Sequence, residues 1–255
     1  TRAYSVTGVQ TCALPIYPYD QSASAGWFDM EWMFGIKDGF DIVIGNPPYG
    51  ASYPDEHKIY FKENYYSAKT KEIIENGNKL KIKGSFDTFS LFIDRSFQCM
   101  NDGSFLSFIV PLAVSSSDSM TALHNMLLNN CENISISTYS NRPKKIFDNA
   151  DQRVAIINFN KNKTKTKKLF TTKVNKRYDD TSTQELINNL KFVNSIEFIK
   201  YGRIPKIGTP IEISILKKLY SIKTNLKDLM LDKGLPVFYR RSEERRVGKE
   251  CRSRW

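Results

Sequence analysis

The segment DIVIGNPPYG, from Asp41 to Gly50, constrains the fold of this chain more than any other. A short apolar run, Phe40 to Ile44, leads into a glycine, an asparagine, two prolines and a tyrosine. Proline fixes its own φ angle, has no N–H to donate, and pushes the residue before it into extended conformations. The segment therefore predicts a buried strand that ends in a stiff turn. Because such a turn cannot pair within a sheet, it must project beyond the strand.

The predicted turn carries a group of functional atoms suited to one kind of ligand. Asn46 has a side-chain carbonyl, Pro47 has a backbone carbonyl, and Tyr49 has an aromatic face. Two acceptors beside an aromatic ring suit a flat molecule with an –NH2 group, since the acceptors bind its hydrogens and the ring stacks on it. We therefore take the turn as the candidate site. The alternative is an ordinary proline-rich loop that follows a buried strand.

The same residues resemble motif IV, the Asn-Pro-Pro-Tyr catalytic motif of DNA methyltransferases that act on the exocyclic amino group of adenine. The resemblance implies S-adenosylmethionine as cofactor, double-stranded DNA as partner, and a target base that leaves the helix. It also implies Asn46, Pro47, Pro48 and Tyr49 as catalytic residues. In this interpretation the Asn46 side chain and the Pro47 carbonyl accept the two amino hydrogens, and Tyr49 stacks on the base.

The order of apolar patterns along the chain predicts an α/β fold. Apolar residues at spacings of three and four, from Phe86 to Met100, predict an amphipathic helix. A buried strand is predicted at Ser104 to Leu112, and a second helix follows it. Two more strands are predicted, at Ile134 to Tyr139 and Arg153 to Phe159. Strands that alternate with helices predict part of a doubly wound, mostly parallel, Rossmann-like sheet.

This order resembles the catalytic core of gamma-type adenine methyltransferases, including those fused to endonucleases in type IIG restriction-modification enzymes. The resemblance covers roughly Gly26 to Lys161: the motif IV strand, a long insert, an FDTFSLFIDRSF-like helix, a DGSFLSFIVP-like strand and a hairpin. The segment KKIFDNADQRVAIINFNK resembles the last part of that hairpin, which implies Phe147 as a second substrate-binding aromatic residue. The alternative for Phe147 is a core residue at the start of a strand.

The resemblance also raises a question about the cofactor site. In gamma-type enzymes a glycine-containing loop upstream of motif IV holds the cofactor, but no Gly-x-Gly pattern follows a strand between Tyr17 and Asp41. Asp29 is the candidate cofactor-binding residue, as a match to an acidic residue that contacts the cofactor's adenine, and a surface aspartate is the alternative. We therefore expect an incomplete cofactor site, and an isolated polypeptide of low stability and no activity.

Lysines are concentrated after the last predicted strand. A basic stretch beside a base-binding site suits contacts with the DNA backbone, and the alternative is a solvated loop. The catalytic domain is predicted to end near residue 161, and residues 162–240 to form a linker and the start of a mixed target-recognition domain. The segment KNKTKTKKLF contains the lysine run, which comprises Lys161, Lys163, Lys165, Lys167 and Lys168.

Both ends of the chain resemble translated sequencing-library adapters. Residues 6–16, VTGVQTCALPI, and residues 241–255, RSEERRVGKECRSRW, each match one of a pair of adapters. We expect residues 1–16 and 241–255 to lie outside the natural protein, which places the catalytic part at 17–161. The formal charge then falls from +11 to about +7. The remaining cysteines, Cys99 and Cys131, argue against a disulfide framework or zinc site and suit a reducing cytoplasm.

Three functions are compatible with these features. The first is methylation of adenine in DNA within a restriction-modification or phage-defence system, which also admits a nuclease domain in the full-length protein. The second is methylation of a protein glutamine, whose side chain is another planar –NH2 group. The third is a nucleic-acid-binding module without catalysis. The long insert and the C-terminal region favour DNA. No stretch is long and apolar enough to span a membrane.

Overall fold

The computed structural model describes residues 29–50, 52–75, 78–147, 151–199 and 203–222, together with 230, 232 and 233. The predicted adapter-derived ends lie outside these residues. The chain forms two compact units, Thr1–Glu212 and Ile213–Trp255. The sheet and the Asn-Pro-Pro-Tyr turn belong to the first unit. The described part of the second consists mainly of the last turns of one helix.

The elements of the chain alternate broadly between helices and strands, as the sequence predicted. The helices are α1 (Met30–Phe34), α2 (Asp55–Asn64), α3 (Thr88–Cys99), α4 (Ala113–Ser116), α5 (Thr121–Asn130), α6 (Thr183–Asn188) and α7 (Pro210–Ser221). The strands are β1 (Phe40–Gly45), β2 (Lys71–Glu75), β3 (Asn78–Ile82), β4 (Met100–Pro111), β5 (Cys131–Tyr139), β6 (Val154–Lys161), β7 (Lys168–Asn175) and β8 (Val193–Asn194).

A mixed six-stranded sheet with the order β1-β4-β6-β5-β7-β8 forms the centre of the first unit. Parallel pairing joins β1 to β4 and β5 to β7. Antiparallel pairing joins β6 to both β4 and β5, and β8 to β7. The predicted α/β class is confirmed. The mostly parallel direction is confirmed as well, since β1, β4, β5 and β7 run the same way. Strand β6 runs against them because it follows β5 in a hairpin, which reverses the direction of the strand.

Helices α3 and α5 pack on one face of this sheet. The predicted stripe of α3 is confirmed, since Phe89, Ile93 and Phe97 are buried in the same core as alternate residues of β4 and β5. On the opposite face, at the β1 edge, three apolar side chains remain largely exposed. They are Ile42, Ile44 and Phe105, at 66%, 77% and 60% exposure.

The sheet continues beyond the predicted end of the catalytic part. Strand β7 pairs with β5 along most of its length, and β8 adds a short sixth strand. Its lysine-rich, polar sequence predicts a linker instead. Two of its polar side chains are in fact buried and satisfied: the Thr171 hydroxyl donates to the Ile207 carbonyl, and that of Thr172 to the Lys173 carbonyl. Whether a target-recognition domain follows stays a prediction.

A buried carboxylate connects the insert after the turn to helix α3. Asp94 is fully buried and accepts hydrogen bonds from the Ser67 backbone N–H, at 2.6 Å, and from the Gln98 side chain, at 2.9 Å. Burial raises the pKa of Asp94 above its usual value, although the hydrogen bonds from Ser67 and Gln98 act in the opposite direction. Asp94 therefore connects the insert to α3 through hydrogen bonds. This arrangement has a cost in free energy, because a charged carboxylate is kept out of water.

We expect Asp94 to make stability depend on pH in the acidic range. Because its pKa is higher in the folded state, the folded chain binds more protons between the unfolded and folded pKa values. The free energy of unfolding contributed by this group therefore falls as the pH rises through that window. Asp94→Asn should remove this contribution while keeping an oxygen to accept from Ser67. Urea unfolding between about pH 4 and 7 measures the effect.

Glu132 supplies a control of opposite sign. Hydrogen bonds from Lys167 and Asn162 lower the pKa of this carboxyl, so its contribution to stability is present above its unfolded pKa and is lost as the pH falls. Glu132→Gln should therefore change the pH dependence in the opposite direction from Asp94→Asn. An unchanged pH dependence in Asp94→Asn would contradict the assignment.

Candidate active site

The Asn-Pro-Pro-Tyr turn, Asn46–Tyr49, leaves the sheet where β1 ends. The last residue of β1, Gly45, pairs with Phe108 in β4, and the turn begins at the next residue. The Asn46 side chain is exposed, while Pro47 is buried. The predicted strand with a projecting turn is confirmed. The burial of Pro47 fixes the backbone beside an asparagine that remains open to solvent.

The Tyr49 hydroxyl ties this turn to the neighbouring strand. It lies 2.7 Å from Oδ1 of Asn46 and 2.9 Å from the carbonyl oxygen of Ile109 in β4. A phenol has one hydrogen, so it donates fully to only one of these oxygens at a time. Burial of the half-buried ring raises the pKa of Tyr49, which keeps the hydroxyl protonated at neutral pH. The aromatic ring and the amide are therefore held side by side.

Other loops reach the same edge of the sheet, which we call the turn edge. Because β1 and β4 are parallel, their C-terminal ends share this edge, and β6 starts there with Val154 opposite Pro111. The hairpin between β5 and β6 therefore emerges at the turn edge. Phe147 lies half-buried in that hairpin. The structure thus brings Phe147 to the predicted edge, and its contact with a substrate base stays a prediction.

A small apolar cavity lies behind the turn edge, against α6. Its volume is about 20 Å³, close to the space needed for one water molecule, so it cannot accept a base. It lies beside the strand residue whose carbonyl binds Tyr49. The cavity is lined by Ile109, Tyr139, Ile146, Val154, Ile156, Thr183, Leu186 and Ile187.

Asp29, the candidate cofactor residue, has a structural role in the described part of the chain. Its carboxylate accepts a hydrogen bond from the Trp32 N–H at 2.9 Å and caps the N-terminus of α1. Between residues 29 and 39 the structure describes only this five-residue helix and a turn, with no strand that leads into a glycine loop. These residues by themselves do not fit S-adenosylmethionine, and the role of Asp29 stays a prediction.

Lys161, the first residue of the lysine run, has a structural role. Its ammonium group donates to the backbone carbonyls of Phe97 and Met100, and it lies 4.7 Å from the centre of the Phe97 ring. Burial lowers the pKa of Lys161. The side chain thus binds a carbonyl in the last turn of α3 and the carbonyl of its C-cap, Met100, where a cation is favoured.

The lysine run lies at the opposite edge of the sheet from the turn. Strand β6 starts at the turn edge and ends at Lys161, and its eight residues span roughly 23 Å at about 3.3 Å per residue. The expectation that the run lies beside the base-binding site is therefore wrong. Lys163 pairs with Asp102 at 2.6 Å and Lys167 with Glu132 at 2.9 Å. Phosphate binding by the run, including the exposed Lys165 and Lys168, stays a prediction.

Sequence reasoning missed two features of the turn edge. The first is the carbonyl of Ile109. Because every residue has a backbone carbonyl, the sequence does not show which of them contacts Tyr49. The second is the antiparallel hairpin formed by β2 and β3 in the insert. The Asn76-Gly77 pair between these strands is a strong hairpin signal, which the polar composition of the insert obscured.

Comparison with protein families agrees with this geometry. The model of the Eco57I restriction-modification methylase family matches residues 18–147, which is half of the chain and includes the turn. The chain belongs to the Eco57I restriction-modification methylase family. The matched region begins before the part of the chain that the structure describes and ends at Phe147 in the β5–β6 hairpin.

Two curated relatives of this methylase family member are much longer proteins. The chain is 36% identical over 72 residues to the type II restriction enzyme and methyltransferase RM.Eco57I of Escherichia coli. The matched segment covers 28% of this chain and 6% of that protein. The chain is also 32% identical over 94 residues to a Methanocaldococcus jannaschii protein assigned to the same class. That match covers 37% of this chain and 6% of that protein. The chain thus matches a small part of each relative.

Solved structures of restriction-modification enzymes also resemble this methylase chain. The DNA-bound type ISP enzyme LlaBIII has a TM-score of 0.44 and 16% identity, over 64% of this chain and 12% of that chain. A type I restriction-modification complex has a TM-score of 0.46 and 15% identity, over 80% of this chain and 47% of that chain.

Three further properties concern the described residues alone. None of their helices has the length and apolar character needed to cross a bilayer. Nor do histidine, cysteine, aspartate and glutamate residues gather there in groups of three or more with the geometry of a metal site. Cys99 and Cys131 are both free thiols.

Proposed function

We propose that this chain carries the catalytic turn of a DNA methyltransferase that acts on the exocyclic amino group of adenine, within a restriction-modification or phage-defence system. The observation that carries the proposal is the exposed Asn46 amide, held by the Tyr49 hydroxyl at the end of β1. Membership of the Eco57I restriction-modification methylase family supports DNA as the partner.

The chemistry of the amino group explains why such a turn is needed. The lone pair of this nitrogen is delocalised into the ring, which makes it a poor nucleophile. Asn46 Oδ1 and the Pro47 carbonyl would accept its two hydrogens, draw the nitrogen toward tetrahedral geometry, and localise the lone pair. As positive charge develops on nitrogen, both acceptors bind more strongly, so they act mainly in the transition state.

The Tyr49 hydroxyl prepares Asn46 for this role. The phenol O–H donates to Oδ1 of Asn46 at 2.7 Å, and the carbonyl oxygen of Ile109 lies 2.9 Å from the same hydroxyl. Oδ1 has two lone pairs, so one of them stays open to the substrate. The hydroxyl is therefore a positioning group for the amide.

The substrate base and the cofactor complete the proposal. S-adenosylmethionine would supply an electrophilic methyl group. The target adenine would leave the DNA helix and stack on Tyr49, and Phe147 is the candidate for a second contact at the same edge. Base–aromatic stacking contributes about 1–3 kcal/mol per base, comparable to the cost of removing a base from the stack.

Transfer of a labelled methyl group tests the proposal and separates it from the other two functions. The full-length protein is incubated with labelled S-adenosylmethionine, plasmid DNA and a protein extract. We expect label in DNA, recovered as N6-methyladenine after digestion. Label in protein glutamine would support the amide methyltransferase. DNA binding without transfer to either substrate would support the non-catalytic module.

We expect Tyr49→Phe to reduce kcat/KM for DNA by about 2- to 10-fold, since it removes a hydrogen bond of roughly 0.5–1.5 kcal/mol and keeps the stacking ring. Tyr49→Ala should lose more, because stacking is lost as well. Tyr178→Phe is the matched control, since Tyr178 is exposed on a segment that follows β7. If Tyr49→Phe lost as much activity as Tyr49→Ala, the hydroxyl would have more than a positioning role.

A further inference from the structure

The insert after the Asn-Pro-Pro-Tyr turn carries a separate two-stranded hairpin, β2–β3. Its inner face holds Ile73, Leu80 and Ile82, which are partly or fully buried. On its outer face Ile74 pairs directly with Lys79, and Glu72 with Lys81. Ile74 is 76% exposed, and both lysines are exposed. The outer face thus presents one apolar side chain, two lysines and one glutamate.

The base of this hairpin is firmly attached to the domain. The Gly84 N–H donates to the Thr70 hydroxyl at 2.9 Å, and the Ser85 N–H donates to the Ser67 carbonyl at 2.8 Å. Ser67 is in turn held by the buried Asp94. An isolated two-stranded hairpin is marginally stable in water, so these contacts are what keep it in one place. The base of the hairpin is therefore fixed.

The base also lies at the turn edge of the main sheet. The Lys83 carbonyl accepts a hydrogen bond from the Ala122 N–H, at 3.0 Å, in the first turn of α5. Helix α5 follows the C-terminal end of β4 and leads back to the start of β5, so its first turn is at the edge where β1 ends. Helix α3 has the same direction, because it ends where β4 starts. The base of the hairpin therefore lies at the same edge as Asn46.

We propose that the outer face of the β2–β3 hairpin binds double-stranded DNA next to the target adenine. Lys79 and Lys81 contact backbone phosphates, and Ile74 packs into the groove between them. This inference rests on the proposed function and assigns part of its DNA-binding surface. A two-stranded ribbon fits the major groove of B-DNA, whose width is about 12 Å.

Charge favours DNA as the occupant of this face. Residues 69–83 contain five lysines and two glutamates. Duplex DNA carries one negative charge per roughly 1.7 Å of its axis, so a lysine-rich ribbon is complementary to it. The lysine run after β6 is a weaker candidate, because it lies at the far edge and Lys161, Lys163 and Lys167 already bind carbonyl or carboxylate groups.

The salt dependence of DNA binding tests the assignment without requiring methyl transfer. The full chain is titrated with a fluorescently labelled duplex over a range of KCl concentrations, and log K is plotted against log salt. Each phosphate contact contributes about 0.9 to the slope, so Lys79→Gln/Lys81→Gln should lower its magnitude by roughly 2. Ile74→Ser should weaken binding with no change in slope.

Lys173→Gln/Lys191→Gln is the matched control, since it removes two exposed charges elsewhere in the first unit. We expect its slope to equal that of the unaltered chain, and circular dichroism should show the same folding in all variants. An equal loss of slope in both double variants, or no loss in the hairpin variant, would overturn the proposal.

The two proposals can fail separately. Asn46→Ala should leave the salt slope unchanged, because Asn46 contacts the base and not the backbone. If the hairpin lysines change the slope but the full-length protein transfers no methyl group, the DNA surface stands and the proposed reaction fails. If methyl transfer occurs but Lys79→Gln/Lys81→Gln leaves the salt slope unchanged, the reaction stands and the hairpin assignment fails.

Discussion

Asn46→Ala should lower kcat for methyl transfer to DNA by at least about 100-fold, while DNA binding is retained. Removing one preorganised group that stabilises transition-state charge costs about 10²–10³ in kcat. The Ala variant leaves only the Pro47 carbonyl to accept from the amino group. The exposed position of Asn46 at the end of β1 makes a folding defect from this change small. Single-turnover transfer of labelled methyl to DNA measures the loss.

Two further variants test whether the loss of activity in Asn46→Ala is due to the missing acceptor oxygen. Asn46→Asp keeps an acceptor oxygen at the same position and should recover part of the activity lost in Asn46→Ala. Asn129→Ala removes a chemically identical side chain from the exposed surface of α5 and should have no effect. Turnover by Asn46→Ala within tenfold of the unaltered enzyme would remove Asn46 from the mechanism.

Gly84→Ala should destabilise the first unit by about 3 kcal/mol, at the upper end for added bulk in a packed region. A Cβ at Gly84 would lie 2.1 Å from the Ala68 carbonyl oxygen and 2.4 Å from its carbon, distances that real atoms do not reach. Both contacts are with backbone, so no side chain can move aside. The base of the β2–β3 hairpin would have to separate. The urea midpoint of unfolding measures the change.

Gly103 provides the matched control for this substitution. Its φ of +84° is unfavourable for alanine, but nothing lies within 4 Å of an added Cβ. Gly103→Ala should therefore cost only about 1 kcal/mol, from backbone strain alone. If Gly103→Ala proved as destabilising as Gly84→Ala, crowding at Ala68 would not be the cause. DNA binding by a surviving Gly84→Ala protein should fall as well, since the hairpin carries the proposed DNA surface.

The local elements around the Asn-Pro-Pro-Tyr turn were predicted well from the sequence. Strand β1, the turn and helix α3 all appear where the pattern placed them. Each depends on restrictions that act over a few residues: proline limits φ, and the apolar period selects helix or strand. Strand β7 was missed because it does not depend on such local restrictions. Its threonines look like a polar linker in the sequence, and the partners that satisfy them lie far away in the chain.

The positions of charged segments were predicted less well. The lysine run follows closely on the β5–β6 hairpin in the sequence, and this proximity suggested that it lies near the turn. In the structure, β6 runs from the turn edge to the opposite edge of the sheet, so the lysine run that follows it lies far from the turn. The lysines of β2–β3 belong to the long insert that follows the turn, and the bond between Lys83 and the start of α5 places the base of their hairpin at the turn edge.

The sequence by itself determined the chemistry of the turn, since the amide, the carbonyls and the aromatic ring are covalent features of Asn46–Tyr49 and the prolines restrict their arrangement. It also determined the α/β class through its apolar periods. Only the tertiary structure decided that Tyr49 bonds both Asn46 and Ile109, and which lysines share an edge with them. Strand direction and pairing set these relations, and both depend on contacts between residues distant in the chain.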